Sequence, residues 1–209
     1  MALLLNSSSR TQCNASLTPM GMSRTTEILD AAAVLSDLLT QANITHAFAG
    51  NFEVVALGGP GRNTEEILCI VMSGYKHVRE AIQAGDTEIM TATMASWANR
   101  LFVKYHEPIP PVEIEVCIAG EEGPRNLNPQ TVMALQNLPF LSVTEFMRAK
   151  VRVWATRNTD EDAQDVLFIL NRYWASIDLN RIPEADMDRL VVVYPTAEAP
   201  WNAIKERYQ

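Results

Sequence analysis

Residues 45–72 read THAFAGNFEVVALGGPGRNTEEILCIVM, and the order of elements in this stretch decides the fold. Thr45 to Ala49 is short, apolar and flanked by turn formers, which predicts a strand. Gly50-Asn51 turns the chain, and Asn51 stands where it can cap a helix running through Leu57. Gly58-Gly59-Pro60-Gly61 ends that helix, because glycine accepts positive φ and proline cannot extend the hydrogen-bond ladder. Glu65 to Met72 is mostly apolar and β-rich, predicting a second strand.

Upstream, residues 1–22 are rich in Ser, Asn and Thr and predict a flexible tail. Thr25 to Ala42 repeats Ile28, Ala32, Leu35 and Leu39 at helical spacing. Downstream, Tyr75 to Ala84 predicts a helix ended by Gly85-Asp86. Thr87 to Trp97 fits helix and strand alike, and Leu101 to Tyr105 reads as a strand. Pro108, Pro110 and Pro111 mark a loop. Val112 to Ile118 then alternates, with Glu113, Glu115 and Cys117 on one face and Val112, Ile114, Val116 and Ile118 on the other. After a loop over Gly120 to Pro129 the chain reads as helical: a short helix over Thr131 to Leu138, then Ser142 to Arg157, Asp160 to Ile177, Pro183 to Val193 and Pro200 to Tyr208. The expected organisation is a 1–22 tail, an α+β core over 23–119, and a helical portion over 120–209 packed on it.

Composition narrows the function. A formal net charge of −8 disfavours general binding to a phosphate backbone, so no nucleic-acid partner is expected. Cys13, Cys69 and Cys117 are an odd set without a CxxC pair, and Cys69 and Cys117 sit in apolar runs, which argues against zinc and disulfides. The opening MALLLNSSSR has only a short apolar stretch and nothing later approaches a membrane span, so the expectation is a cytoplasmic protein without a membrane partner. No GxSxG, HExxH, Walker or dinucleotide-binding pattern is present. The sequence sets no oligomeric state.

The succession of a helix, FAGNF, GGPGRNTEEILCIV and VEIEVCIAG resembles the nucleotidyltransferase superfamily, in particular its small eukaryotic members abundant in filamentous fungi. The stretch LPFLSVTEFMRAKVRVWATRNTDEDAQDVLFIL is similar to the family's C-terminal part, and the resemblance covers roughly residues 27–172. It implies an α+β fold with a mixed sheet flanked by helices and a helical C-terminal half. In the family a Gly-Gly or Gly-Ser turn approaches the nucleotide phosphates, and an Arg-x-Thr loop leads to a strand bearing Asp-x-Asp. Carboxylates at i and i+2 share one strand face, and with a third on a later strand they hold Mg²⁺. Here Arg62-Asn63-Thr64 matches the loop, Glu66 stands for the first Asp, Leu68 for the second, Glu115 for the third carboxylate, and Gly50-Asn51 for the turn. Leucine cannot ligate a hard cation, which implies that metal-dependent nucleotidyl transfer is lost.

The altered face is expected to present Glu66, Leu68, Ile70 and Met72 beside Glu113, Glu115 and Cys117, an apolar floor with a few polar groups. Glu66, Glu115, Arg62 and His46 are the catalytic candidates. Asn51, Glu53, Leu68, Ile70, Glu113 and Lys150 are the substrate-binding candidates, with no metal and no cofactor. Structural readings stand beside these. His46 fits a hydrogen-bonded strand-edge residue, Asn51 a helix cap, Arg62 an ion-pair partner of Glu66 or Glu115, and Lys150 a helix-face charge paired with Asp162 or Asp165. Trp97, Trp154 and Trp174 fit core positions, and Met90, Met94, Met133 and Met147 adaptable packing. The expected function is a metal- and cofactor-independent cyclase, isomerase or pericyclase acting on a hydrophobic secondary metabolite, with shape and a few hydrogen bonds as its means. Two alternatives stay open: a Mg²⁺-dependent nucleotidyltransferase with Glu66 and Glu115 as variant ligands, and a non-catalytic protein-binding or regulatory domain.

Overall fold

The computed structural model describes residues 23–59, 67–95 and 99–209. Helix α1 (Arg24–Gln41) begins where the Ser23 hydroxyl accepts the Thr26 N–H, and its buried stripe is Ile28, Ala31, Ala32, Leu35 and Leu39. Asn43 adopts φ 57°, a left-handed turn that Asn tolerates, and sends the chain into β1 (His46–Ala49). Gly50 then takes φ 80°, which only glycine adopts without strain, and α2 (Asn51–Ala56) follows. The helix boundary is Gly50, which makes no side-chain cap bond, and Asn51 is already helical. The expected Asn51 cap is therefore corrected: its side chain is engaged elsewhere.

The next elements are β2 (Ile67–Val71), α3 (Tyr75–Gln83), β3 (Met90–Ala95), β4 (Arg100–Tyr105) and β5 (Val112–Ile118). Pairing with β4 resolves the ambiguous 87–97 region as a turn over 87–89 followed by strand over Met90–Ala95; Trp97 lies outside the described residues. The Glu65-Glu66 start expected for β2 also lies outside them. Thr131 to Leu138, expected as a helix, is instead a hairpin of β6 (Val132–Leu135) and β7 (Leu138–Leu141). The physical reason is the turn. Gln136 and Asn137 both take positive φ, at 51° and 63°, the backbone twist that two-residue hairpin loops require.

All seven strands form one mixed sheet in the order β3-β4-β5-β2-β1-β7-β6. β1 runs antiparallel to β2, whereas β2 with β5 and β1 with β7 run parallel. One face, with Phe48, Cys69, Val71, Val103, Ile114 and Val116, packs under α1 and α3. The C-terminal half holds α4 (Val143–Arg157), α5 (Asp160–Tyr173), α6 (Glu184–Val193) and α7 (Glu198–Glu206). Ser142 and Thr159 cap α4 and α5 through the N–H groups of Glu145 and Asp162, and Asn158 at φ 54° closes α4 between them. Their core joins Phe146, Trp154, Val166, Leu170 and Trp201 to Val54 and Leu57 of the α2 region, so the helices pack directly on the strand–turn–helix unit. A mixed sheet flanked by helices with a helical C-terminal half is the expected α+β class. Among the described residues no helix is long and apolar enough to cross a membrane.

Phe48 is fully buried and meets Phe52 and Phe140 with ring centroids 5.7 and 5.9 Å away. Phe48→Ala is expected to lower unfolding free energy by about 3–5 kcal/mol, through lost transfer energy plus a cavity. In urea denaturation the exposed Val192→Ser on α6 serves as control, expected within about 0.5 kcal/mol of the parent.

Candidate functional site

Strand parity and register assemble the site. Ala49 pairs with Leu68, Leu68 with Glu115, and Glu115 with Phe102, so these side chains form a row across β1, β2, β5 and β4 on the sheet face away from α1. Gly50 closes the β1 end of the row. A Cβ there would lie 3.7 Å from the Leu68 Cβ, ordinary contact, so positive φ rather than crowding demands the glycine. Ile70 is on the same face but 1% exposed, because the loop after β5 lies over it: a Cβ on Gly123 would approach its Cδ1 to 2.6 Å. Of the expected apolar floor, Leu68 remains half-buried on this face, and Ile70 is core.

Arg100 governs the charges here. Its guanidinium lies 3.2 Å from Glu115 and 2.8 Å from Glu122, and it donates to the Cys117 sulfur. Glu113 pairs with Lys104 at 3.3 Å across the β4–β5 ladder. Burial, with the Glu122 carboxylate next in weight, pushes the Cys117 thiol up to about 12, so it stays protonated and un-nucleophilic at neutral pH. The divalent cation implied by the fold does not fit this donor set. Leu68 supplies no oxygen beside Glu115, Glu115 already faces a fixed cation, and no group of three His, Cys, Asp or Glu among the described residues is arranged for a metal. Glu66 and Arg62 lie outside the described residues.

A second cluster joins the Gly50 turn to the helical half. Lys150 on α4 donates to the Asn51 Oδ1 at 2.8 Å and pairs with Asp165 on α5 at 2.8 Å. Of its two expected partners, Asp165 is the one used; Asp162 accepts the Thr159 hydroxyl at the start of α5. Glu53, one helical position from the turn, is fully buried, and neither carboxyl oxygen has a hydrogen-bond partner among the described residues. Burial drives its pKa well above the carboxylate range, and the opposing pull of the Lys150 charge is smaller. Burial thus favours the protonated form of Glu53, beside the Lys150–Asp165 pair.

His46 is not brought to the site. It shares the parity of Phe48 and faces α1, where its ring hydrogen-bonds the Ile44 carbonyl at 3.0 Å and the Ser36 hydroxyl at 2.9 Å. The structure thus places Glu115, Leu68 and Glu113 on the sheet face away from α1, puts Asn51 and Lys150 at the adjoining Gly50 turn, buries Ile70 and Glu53, and turns His46 toward α1. Arg100 and Phe102 are the site residues that sequence reasoning missed. The signal was available: Arg100, Phe102 and Lys104 alternate with Leu101, Val103 and Tyr105, but a strand started at Leu101 leaves Arg100 out.

Two substitutions separate the charged pair from the neutral acid. Lys150→Met removes the cation 2.8 Å from the buried Asp165 and is expected to lower stability by about 3 kcal/mol in denaturant unfolding. Glu53→Gln keeps the neutral shape and acts on pH dependence instead. With its folded pKa raised, Glu53 contributes stability that is complete below the unfolded value and is lost as pH rises. Between about pH 5 and 8 the parent's Tm should therefore fall more steeply than that of Glu53→Gln; parallel curves would show that Glu53 is ionised in the fold.

No protein-family model and no curated protein matches the sequence. Solved structures do match. An antigenic nucleotidyltransferase-like protein from Paracoccidioides brasiliensis superposes with a TM-score of 0.62 at 14% identity, over 87% of this chain and 94% of its own. A Helicobacter pylori protein provisionally assigned as a nucleotidyltransferase gives 0.59 at 11% identity, over 88% of this chain and 98% of its own. JHP933 from Helicobacter pylori gives 0.55 at 13% identity, over 90% and 97%. The architecture that residues 45–72 predicted is the nucleotidyltransferase fold.

Proposed function

We propose that this chain uses the nucleotidyltransferase scaffold without its metal-dependent reaction, as a metal- and cofactor-independent enzyme of small-molecule metabolism. The observation that carries the reading is the replacement at the row's centre: Leu68 stands beside Glu115, and Glu115 is held by Arg100. A cleft with an apolar centre, an aromatic wall at Phe102 and one oriented ion pair suits a largely apolar molecule fixed by a few polar contacts. The reaction class such a cleft serves is cyclisation or isomerisation, pericyclic steps included. There the rate gain comes from holding a reactive conformer and polarising one of its groups. Arg100 would polarise a substrate oxygen, Glu115 would hold the guanidinium in place, and Leu68 and Phe102 would shape the apolar part. A nucleic-acid substrate is disfavoured by the −8 net charge.

One observation favours a second reading, a non-catalytic binding domain. Arg100, Lys104 and Lys150 each sit within ion-pair distance of a carboxylate, so acid–base work at the cleft requires a pair to open.

The two-metal alternative predicts pyrophosphate release from a nucleoside triphosphate with Mg²⁺ or Mn²⁺, abolished by Glu115→Gln; the proposed reading expects background release from both proteins. Conversion of an apolar substrate should continue unchanged in EDTA and fall about a hundredfold in kcat/KM in Arg100→Met. Conversion that stops in EDTA and returns with Mg²⁺ overturns the proposal. Stable co-purification of a protein partner, with no conversion at all, selects the binding domain.

A further inference from the structure

A groove of about 730 Å³ lies at the end of β1 opposite the Gly50 turn. Its walls are the chain from Thr40 to His46, the loop segment Leu127 to Pro129, and the β6–β7 hairpin from Val132 to Pro139. The volume is that of a drug-sized ligand site. Two left-handed asparagines shape its rim: Asn43 turns α1 into β1 and Asn137 closes the hairpin, and both line the groove.

Its chemistry differs from that of the cleft. In a chain where 20% of residues are charged, the described residues that line the groove include no Asp, Glu, Lys or Arg. The polar groups that face it are neutral amides and hydroxyls, those of Thr40, Asn43, Thr45, Asn128 and Asn137. Its apolar lining includes Ile44, Leu127, Val132 and Leu138. His46, the one ionisable side chain among the described residues of the lining, is tied to Ile44 and Ser36, and burial lowers its pKa, which favours the neutral ring.

We propose that this groove is a small-molecule site, separate from the cleft, whose ligand is uncharged, with an apolar body and hydrogen-bonding groups along one edge. An ion entering it would lose hydration and find no counter-charge, whereas amide and hydroxyl partners compensate the polar edge of a neutral molecule. Occupancy needs no reaction at Leu68 or Glu115, so the site stands or falls independently of the reading given to the cleft.

The test uses the full chain and two dyes, neutral Nile red and anionic 1-anilinonaphthalene-8-sulfonate. Nile red fluorescence should rise saturably with one-to-one stoichiometry, and the anionic dye should bind about tenfold more weakly. Ala134 is an exposed residue of the groove wall. Ala134→Arg puts a charge there and should weaken Nile red about tenfold at unchanged Tm. Val192→Arg, on the 80%-exposed position of α6, should leave the dye's affinity as it was. Non-saturable binding, equal affinity in Ala134→Arg, or loss of binding in Val192→Arg overturns the proposal. Should Ala134→Arg fail to fold, Asn137→Asp places the opposite charge on the rim and is read in the same way.

Discussion

Lys150 reaches from α4 to the Asn51 amide at the β1–α2 turn and to Asp165 on α5, and this junction fixes where the helical half stands relative to the sheet. Asp165 is fully buried and the Lys150 side chain is 10% exposed, so the pair sits in surroundings where a charge without its partner is strongly disfavoured. Directionality matters more here than net stabilisation. The apolar core shared by α2, α4 and α5 would accept some sliding of one helix over another, but the ion pair and the Asn51 bond are satisfied in one arrangement only. Glu53 belongs to the same constraint. Its full burial raises its pKa, which favours the protonated form, and the Lys150 charge opposes that shift only in part.

At the other wall of the cleft Arg100 plays a comparable part. A row of Glu113 and Glu115 on β5, with Glu122 from the following loop, would repel itself on an otherwise half-buried face. Lys104 and Arg100, four residues apart on the same face of β4, answer these carboxylates: Lys104 lies opposite Glu113, and Arg100 reaches Glu115 and Glu122. A fixed guanidinium and a leucine together replace what a bound cation and a second aspartate would supply in electrostatic balance. They supply none of its Lewis acidity. On the proposed reading the scaffold would be kept while the metal-dependent reaction would lose its central participant.

How much of this could be read from residues follows from the range of the interactions. The β1–α2–β2 order was legible because glycine turns and strand periodicity are local signals, and so was the shared face of Glu113, Glu115 and Cys117 on β5. The β6–β7 hairpin was not. VMAL and LPFL suit either element, and the turn uses Gln136-Asn137 at positive φ where a glycine would have announced it. Asn51 looked like a cap because caps and first-turn residues differ by one position, and Gly50 had already taken the boundary. The choice between Asp162 and Asp165 depended on tertiary packing: Thr159 holds the first at the helix start, and the second faces α4 three residues later. His46 was excludable by parity, since Phe48 two residues on is the larger apolar group and must face the core.

The pairing of every named cation around the cleft constrains what can enter it. An anionic ligand drawn to Arg100 has to compete with Glu115 and Glu122 together, and displacing either leaves a carboxylate uncompensated on a face without another free cation among the residues placed there. A cationic ligand meets the converse problem, because both β5 carboxylates are already answered. A neutral molecule would avoid each cost: over Leu68 and Phe102 it would accept a hydrogen bond from a guanidinium that keeps its salt bridges. The groove at the far end of β1 would reach the same selectivity by another route, because the described residues of its lining include no Asp, Glu, Lys or Arg. Under the two proposals, compensation in one place and absence of charge in the other would both discriminate against ions, so that a chain with a formal charge of −8 would take uncharged, largely apolar molecules.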